Sequence, residues 1–142
     1  MILRLSTNAI IQMVPMQRLK NLKVLSLARN NIKKIANLED VAATLEQLWL
    51  SYNKIEKLDA MAPLQKLHTF YISNNNIKDW NEVGKCSQLA DLRTVLFKGN
   101  PVYSDPEYKN NWPMVVKKIP HVESIDGNMV NAALRAEAEA LE

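Results

Sequence analysis

The sequence predicts an α/β solenoid, with a parallel sheet on one face, short helices or irregular turns on the other, and a C-terminal cap followed by a helix. Three observations carry this. A unit recurs as Leu22-x-x-Leu25-x-Leu27-x-x-Asn30-x-Ile32-x-x-Ile35, then Leu45-x-x-Leu48-x-Leu50-x-x-Asn53-x-Ile55-x-x-Leu58, then Leu67-x-x-Phe70-x-Ile72-x-x-Asn75-x-Ile77-x-x-Trp80. It returns more loosely as Leu92-x-x-Val95-x-Phe97-x-x-Asn100, and a partial copy, Leu3-x-Leu5-x-x-Asn8-x-Ile10-x-x-Met13, opens the chain. The asparagines at 8, 30, 53, 75 and 100 lie 22, 23, 22 and 25 residues apart, the period of leucine-rich repeats. Inside each unit the L-x-L core has the two-residue alternation of a strand.

Each element follows from this unit. Leu25 and Leu27, or Leu48 and Leu50, face inward while the residue between them faces out. The asparagine sits where the strand bends away, and its short carboxamide can satisfy backbone groups that the bend leaves unpaired, so stacked copies predict an asparagine ladder. One repeat cannot bury its apolar side alone, so neighbours complete a shared core. Repeats of about 22 residues leave room for only about one or two helical turns on the return side. In the return segment 38–44, Asp40 is the expected N-cap. The fourth repeat is longer, and the stretch 81–90 absorbs the difference with Val83, Cys86 and Leu89 as a buried stripe.

After Asn100 the pattern changes. Pro101 ends the repeat, and Val122 and Ile125 take the first two apolar positions of another unit before Asp126-Gly127 turns the chain out as a cap. The tail from Asn128, rich in Ala, Glu and Leu, predicts a helix with Asn128 near its N-cap and a thin apolar face, able to leave the body. The expected organisation is thus a repeat domain with its cap over residues 1–127 and a C-terminal helix over 128–142. At the other end, strand one starts at Met1, so the open end either makes unusual contacts or belongs with a preceding segment.

Composition sets bounds on function. With 142 residues, 47% of them apolar and 23% charged, the chain is the size of one domain and can bury a core. A net charge of +3, without runs of Lys or Arg, allows an acidic partner surface and argues against nucleic acid. Cys86 is the single cysteine and no Asn-x-Ser/Thr sequon occurs, which favours an intracellular setting. No apolar run approaches the roughly 20 residues of a membrane span. Cys86 reads as a small core residue. His68 and His121 lie in different repeats, no HExxH or Walker A sequence occurs, and Gly84, Gly99 and Gly127 are isolated. Neither an enzyme nor a bound cofactor is expected.

Specificity in such a solenoid belongs to outward strand positions. The residue between the inward pair reads Arg4, Ser26, Trp49, Tyr71 and Leu96 down the stack. The position before it reads Ile2, Val24, Gln47, Thr69 and Thr94, and the one after it Ser6, Ala28, Ser51, Ser73 and Lys98. Trp49, Tyr71 and Leu96 therefore form a row on adjacent strands, about 5 Å apart, suited to a protein partner. Trp80 is expected in the core and Tyr52 on the turn beside the ladder.

These residues carry a resemblance. The repeats with their terminal Ile125-Asp126-Gly127 are similar to the SDS22-like leucine-rich repeat class. Closer still, Asp40 to Ile55 (DVAATLEQLWLSYNKI), Ser73 to Ile77 and Lys98 to Tyr103 resemble the leucine-rich light chains of axonemal outer-arm dynein, the light chain 1 family. The resemblance implies a non-catalytic subunit of the cilium or flagellum axoneme and its cytoskeleton, bound to the microtubule-binding domain at the stalk tip of a dynein heavy chain. By motif position the partner-binding residues are Val24, Ser26, Gln47, Trp49, Tyr71 and Leu96. The C-terminal region assists them, and Lys98 is a secondary contact toward tubulin. The implied outcome is modulation of microtubule engagement and beat; the alternative is an SDS22-like regulatory scaffold targeting a phosphatase or another intracellular partner. Two features depart from the family: its N-terminal helical segment is absent, and Asn111-Trp112-Pro113 stands where Tyr-Arg is usual.

Overall fold

The computed structural model describes residues 1–108 and 110–141. Five three-residue strands, β1 (Ile2–Arg4), β2 (Val24–Ser26), β3 (Gln47–Trp49), β4 (Thr69–Tyr71) and β5 (Thr94–Leu96), pair in parallel in chain order. β6 (Ser124–Ile125) continues the parallel sheet, and β7 (Asn128–Met129) closes it antiparallel to β6. The register keeps equivalent repeat positions side by side: Leu3, Leu25, Leu48, Phe70, Val95 and Ile125 form one inward row. All of these except Leu3 are buried, as are Leu27, Leu50, Ile72 and Phe97 in the following inward row. Alternation thus converts a spacing in sequence into one continuous apolar slab.

The asparagine ladder is present, and each rung joins two repeats. Asn30 Oδ1 accepts from the N–H groups of Asn8 and Ile10, both at 3.1 Å, while its Nδ2 donates to the carbonyls of Leu27 and Leu5. Asn53 and Asn75 take the N–H of Ile32 and Ile55, each at 2.9 Å, and Asn100 takes those of Asn75 and Ile77. These carboxamides are buried, so the bonds form away from competing water. The residue before each asparagine adopts a left-handed conformation: Thr7, Arg29, Tyr52, Asn74 and Gly99, with φ between 55° and 80°. Only Gly99 takes this shape without a steric cost; the others are held in it by the bonds on either side.

The returns are short, as the repeat length requires. Two of them hold single 3₁₀ turns, Glu39–Val41 and Asp59–Met61. Asp40 lies inside the first of these rather than capping it, because the turn starts one residue earlier at Glu39, after Leu38, which makes no side-chain cap. The long fourth repeat forms α1 (Trp80–Gly84), which runs on into a 3₁₀ turn at Lys85–Gln88. Asp79 caps α1 by accepting from the N–H of Glu82 at 3.1 Å. Val83, Cys86 and Leu89 are fully buried along this return, as the spacing predicts. Trp80, expected in the core, is only half-buried at the core's edge, its ring 6.2 Å from that of Tyr103.

The C-terminal end differs most from expectation. Asp126 and Gly127 have φ of 52° and 85°, the pair of positive values that a tight hairpin turn demands, so the chain folds back and Asn128–Met129 becomes β7 rather than a helix start. The helix begins later, as α3 (Ala132–Glu139), capped by Asn131, whose carboxamide oxygen accepts from the N–H of Leu134 at 2.8 Å. It does not leave the body. It packs against α2 (Asn111–Lys118) and buries Ala138, and Arg135 donates to the carbonyls of Pro120 and Val122. Glu142, the last residue of the expected helix, lies outside the described residues.

Candidate functional site

The outward face of the sheet is built by strand pairing alone. Trp49 and Tyr71 are register partners across β3 and β4, and Tyr71 and Leu96 across β4 and β5. The two rings stack at a centroid distance of 5.6 Å and an interplanar angle of 28°. Trp49 Nε1 donates to Gln47 Oε1 at 3.1 Å on the same strand, which fixes the orientation of the indole. Val24, Gln47, Trp49, Tyr71 and Leu96 are half-buried, and Lys98 is exposed at the edge of the row. Ser26, predicted on the same exposed row, departs from that expectation: it is 3% exposed. It sits in register between Arg4 and Trp49, so two long side chains flank one small one and close over it. Thr69 is covered too, its hydroxyl 2.7 Å from His68 Nδ1, and Ser73 is buried with its hydroxyl bonded to that of Ser51 at 2.8 Å.

One residue of this face was not anticipated. The β6–β7 hairpin sets Met129 opposite Ser124, which is itself the register partner of Thr94, so Met129 extends the outward row of Val24, Gln47, Thr69 and Thr94 and is 72% exposed. Its signal was the Asp-Gly dipeptide, which between apolar residues marks a two-residue hairpin. Along the strand starts runs a charged border. Lys23 pairs with Glu46 at 3.0 Å, His68 lies 3.8 Å from the same carboxylate, and Arg93 lies 3.6 Å from Glu123. The hydrogen bond from Lys23 and its charge hold the Glu46 carboxyl below the usual carboxylate range.

Elsewhere the ionisable groups serve the scaffold. Glu82 is 4% exposed, yet its Oε1 accepts from the N–H of Leu58 at 2.8 Å and its Oε2 is paired with Lys85 at 2.6 Å. Lys57 Nζ lies 3.8 Å from the same oxygen, so the buried carboxylate is compensated from two sides, and Lys85 also holds Asp59 at 2.7 Å. Burial, reinforced by Glu82, pushes the Cys86 thiol up to about 12, which keeps it protonated and a poor nucleophile. His121 bonds the carbonyl of Leu89, away from His68. Among the described residues no group of three or more His, Cys, Asp or Glu side chains could hold a metal, and no helix is long and apolar enough to cross a membrane. What the sheet face offers is a rigid aromatic and aliphatic surface for burial against another protein.

Comparison with known proteins agrees with the repeat architecture. The family model for leucine-rich repeats (two copies) matches residues 20–64 and 43–85. Dynein axonemal light chain 1 of Chlamydomonas reinhardtii is 43% identical over 142 residues, covering 96% of this chain and 71% of that protein. The Danio rerio and Homo sapiens proteins of the same name are each 45% identical over 129 residues, covering 90% of this chain and 67% and 68% of theirs. Among solved structures, a chain of the Drosophila melanogaster SNF/U2A′ complex superposes with a TM-score of 0.80 at 21% identity, covering 97% of this chain and 78% of that one. A Leptospira interrogans leucine-rich repeat protein gives 0.64 at 23% identity over 87% of this chain and 36% of its own. Both structural likenesses speak to the fold. The sequence relatives set the localisation, the axoneme of cilium or flagellum and its cytoskeleton. The chain belongs to the axonemal dynein light chain 1 family of leucine-rich repeat proteins.

Proposed function

We propose that the chain is a non-catalytic light chain whose sheet face binds the microtubule-binding domain at the stalk tip of an axonemal outer-arm dynein heavy chain, and thereby modulates microtubule engagement and ciliary beat. Trp49, Tyr71 and Leu96 are the anchors, with Val24 and Gln47 beside them, Ser26 as the floor under Trp49, and Lys98 as a secondary contact toward the acidic surface of tubulin. The observation that carries the reading is the stacked Trp49–Tyr71 pair, half-buried and hydrogen-bonded on an otherwise open sheet. Rings already held in place lose little rotamer freedom on binding, so more of their burial appears as affinity.

The Trp49→Ala, Tyr71→Ala double variant tests this in a pulldown of a heavy-chain stalk-tip fragment. Binding should fall at least about tenfold, since truncating interface aromatics typically costs more than about 1 kcal/mol each. Because neither side chain lies in the core slab, the circular dichroism melt should be nearly unchanged. Undiminished binding by the folded variant would sink the proposal. Recovery of a phosphatase catalytic subunit without heavy chain from ciliated-cell extract would favour the SDS22-like scaffold instead.

A further inference from the structure

The sheet face has two borders of unlike electrostatic character. Along the strand starts Lys23, Lys66 and Arg93 are mixed with Glu46, Asp91 and Glu123, and ion pairs close within the border, Lys23 with Glu46 and Arg93 with Glu123. Along the strand ends, residues 28–31, 51–54, 73–76 and 98–101 hold three cations, Arg29, Lys54 and Lys98, and no Asp or Glu. All three are exposed, and among the described residues none is in an ion pair. Between the borders, β2 to β5 carry no charged side chain. The face is therefore balanced on one side and positive on the other, with the apolar row between.

Arg29 is the cation of this border with a fixed place. Its backbone N–H donates to the carbonyl of Ser51 at 2.9 Å, and the Tyr52 N–H donates to that of Ser73 at 2.9 Å, so turns of successive repeats lie side by side. The guanidinium carbon of Arg29 stands 4.2 Å over the centre of the Tyr52 ring, and Tyr52 is 46% exposed. Stacking uses the flat face of the guanidinium and leaves its in-plane N–H groups outward, where among the described residues they meet no protein acceptor. A planar fork with free donors grips a carboxylate through two parallel hydrogen bonds, and the ring beneath it limits the rotamer freedom lost on binding.

We infer that the protein surface covering the Trp49, Tyr71 and Leu96 row is polarised, with an apolar strip over the row and carboxylates along the edge that meets the strand ends. Arg29 grips one of these carboxylates and Lys54 adds charge beside it. This polarity presupposes the sheet-face contact proposed above and adds the direction in which the partner lies across the strands. Turned about, the same partner would set its carboxylates against Glu46 and Glu123 and leave Arg29 unmatched, so the cationic border selects one of two orientations of a similar apolar contact.

The test measures binding of a bacterially expressed heavy-chain stalk-tip fragment, free of phosphate, to the full chain by fluorescence anisotropy. Arg29→Glu should weaken binding at least about tenfold at about 0.05 M NaCl, and the loss should shrink as NaCl rises to about 0.5 M. Lys66→Glu, the same change of charge at the strand-start border, should alter binding less than about twofold. Arg29→Lys keeps the charge without the fork and should weaken binding about threefold. Lys54→Glu should do so by about the same factor. Each of these variants changes an exposed side chain, so its circular dichroism melt should match that of the unaltered chain. Equal losses in Arg29→Glu and Lys66→Glu would overturn the inference, because net charge alone would then account for them. The Trp49→Ala, Tyr71→Ala variant tells two failures apart. If it loses binding while Arg29→Glu keeps it, the sheet-face contact stands and the polarity falls; if it binds undiminished, both fall.

Discussion

The first and last repeats of the described structure are held by different means. At the C-terminal end the Asp126 carboxylate takes the place of the backbone carbonyl that a further strand would offer. Its Oδ1 accepts from the N–H groups of Phe97 at 2.7 Å and Lys98 at 3.1 Å, and its Oδ2 from Tyr103 Oη at 2.7 Å and Trp112 Nε1 at 3.1 Å. Burial, with the neighbouring carboxylate, pushes the Tyr103 phenol upward, so it stays a donor. The hairpin, α2 and α3 then cover the last repeat. In the first repeat the Asn8 carboxamide donates to carbonyls of its own turn, Leu3 and Ile10 are half-buried, and Met1, Ile2, Leu5, Ile11 and Val14 are exposed. In a repeat array each unit is stabilised by its neighbours, so the last repeat keeps its stability where something takes the place of the next one. A carboxylate with four donors and two helices does so at one end.

The largest expected contrast is between the inward residues of the first and sixth strands. Ile125 is 1% exposed, and Ile125→Ala should cost roughly 3–4 kcal/mol, through lost burial and the cavity left behind. Leu3 occupies the equivalent position beside an open cavity, and Leu3→Ala should cost about 1 kcal/mol. Urea unfolding of the two variants measures both. Similar losses would show that the N-terminal repeat is as tightly held as the cap.

The second contrast lies in two polar side chains, Asp126 in the last repeat and Asn8 in the first. Asp126→Ala strips four donors of their acceptor at a half-buried site and should cost about 3 kcal/mol, whereas Asn8→Ala, at an exposed position, should cost only about 0.3 kcal/mol. Asp126→Asn separates the contributions. Asn tolerates the positive φ of 52° and keeps one acceptor oxygen, so about half the loss should return, as read by the urea midpoint.

These contrasts also show what a one-dimensional pattern can and cannot convey. The inward rows, the ladder and the buried stripe at Val83, Cys86 and Leu89 were legible because each depends on periodicity within a repeat. The outward placement of Trp49, Tyr71 and Leu96 was legible for the same reason. Coverage was not: alternation assigns Ser26 to a face, but its burial depends on the sizes of Arg4 and Trp49 in neighbouring strands. The left-handed positions were hidden because Thr7, Arg29, Tyr52 and Asn74 share no chemistry, and neighbouring hydrogen bonds impose the conformation. At the C-terminus helix propensity spoke for a start at Asn128, and a two-residue turn at Asp126-Gly127 overrode it by pairing the next residues with β6.

The smallest expected effect concerns acid. Glu46, Glu56 and Asp59 each hydrogen-bond a lysine of a neighbouring repeat, Lys23, Lys78 and Lys85, and these bonds hold all three carboxyls below their usual range. A lowered folded-state pKa contributes stability that is complete above the unfolded value, about 4 to 4.5 for these groups, and is lost as pH falls through the folded value. The pairs are exposed, so the loss should be slight and partly removed by salt. They join repeats from the second onward, and residues 1–22 take part in no ion pair among the described residues. Native-state hydrogen exchange should therefore separate the two regions as pH is lowered from about 6 to about 4. After correction for intrinsic rates, protection at the N–H groups of Leu50 and Ile72, which bond to Tyr71 and Leu96, should decline. Protection at Leu5 and Thr7, which bond to Ser26 and Ala28, should hold steady, because opening the first repeat breaks none of these ion pairs. An equal decline at all four amides would mean that the first repeat opens only with the rest, and that the two ends are more alike in stability than their hydrogen bonds imply.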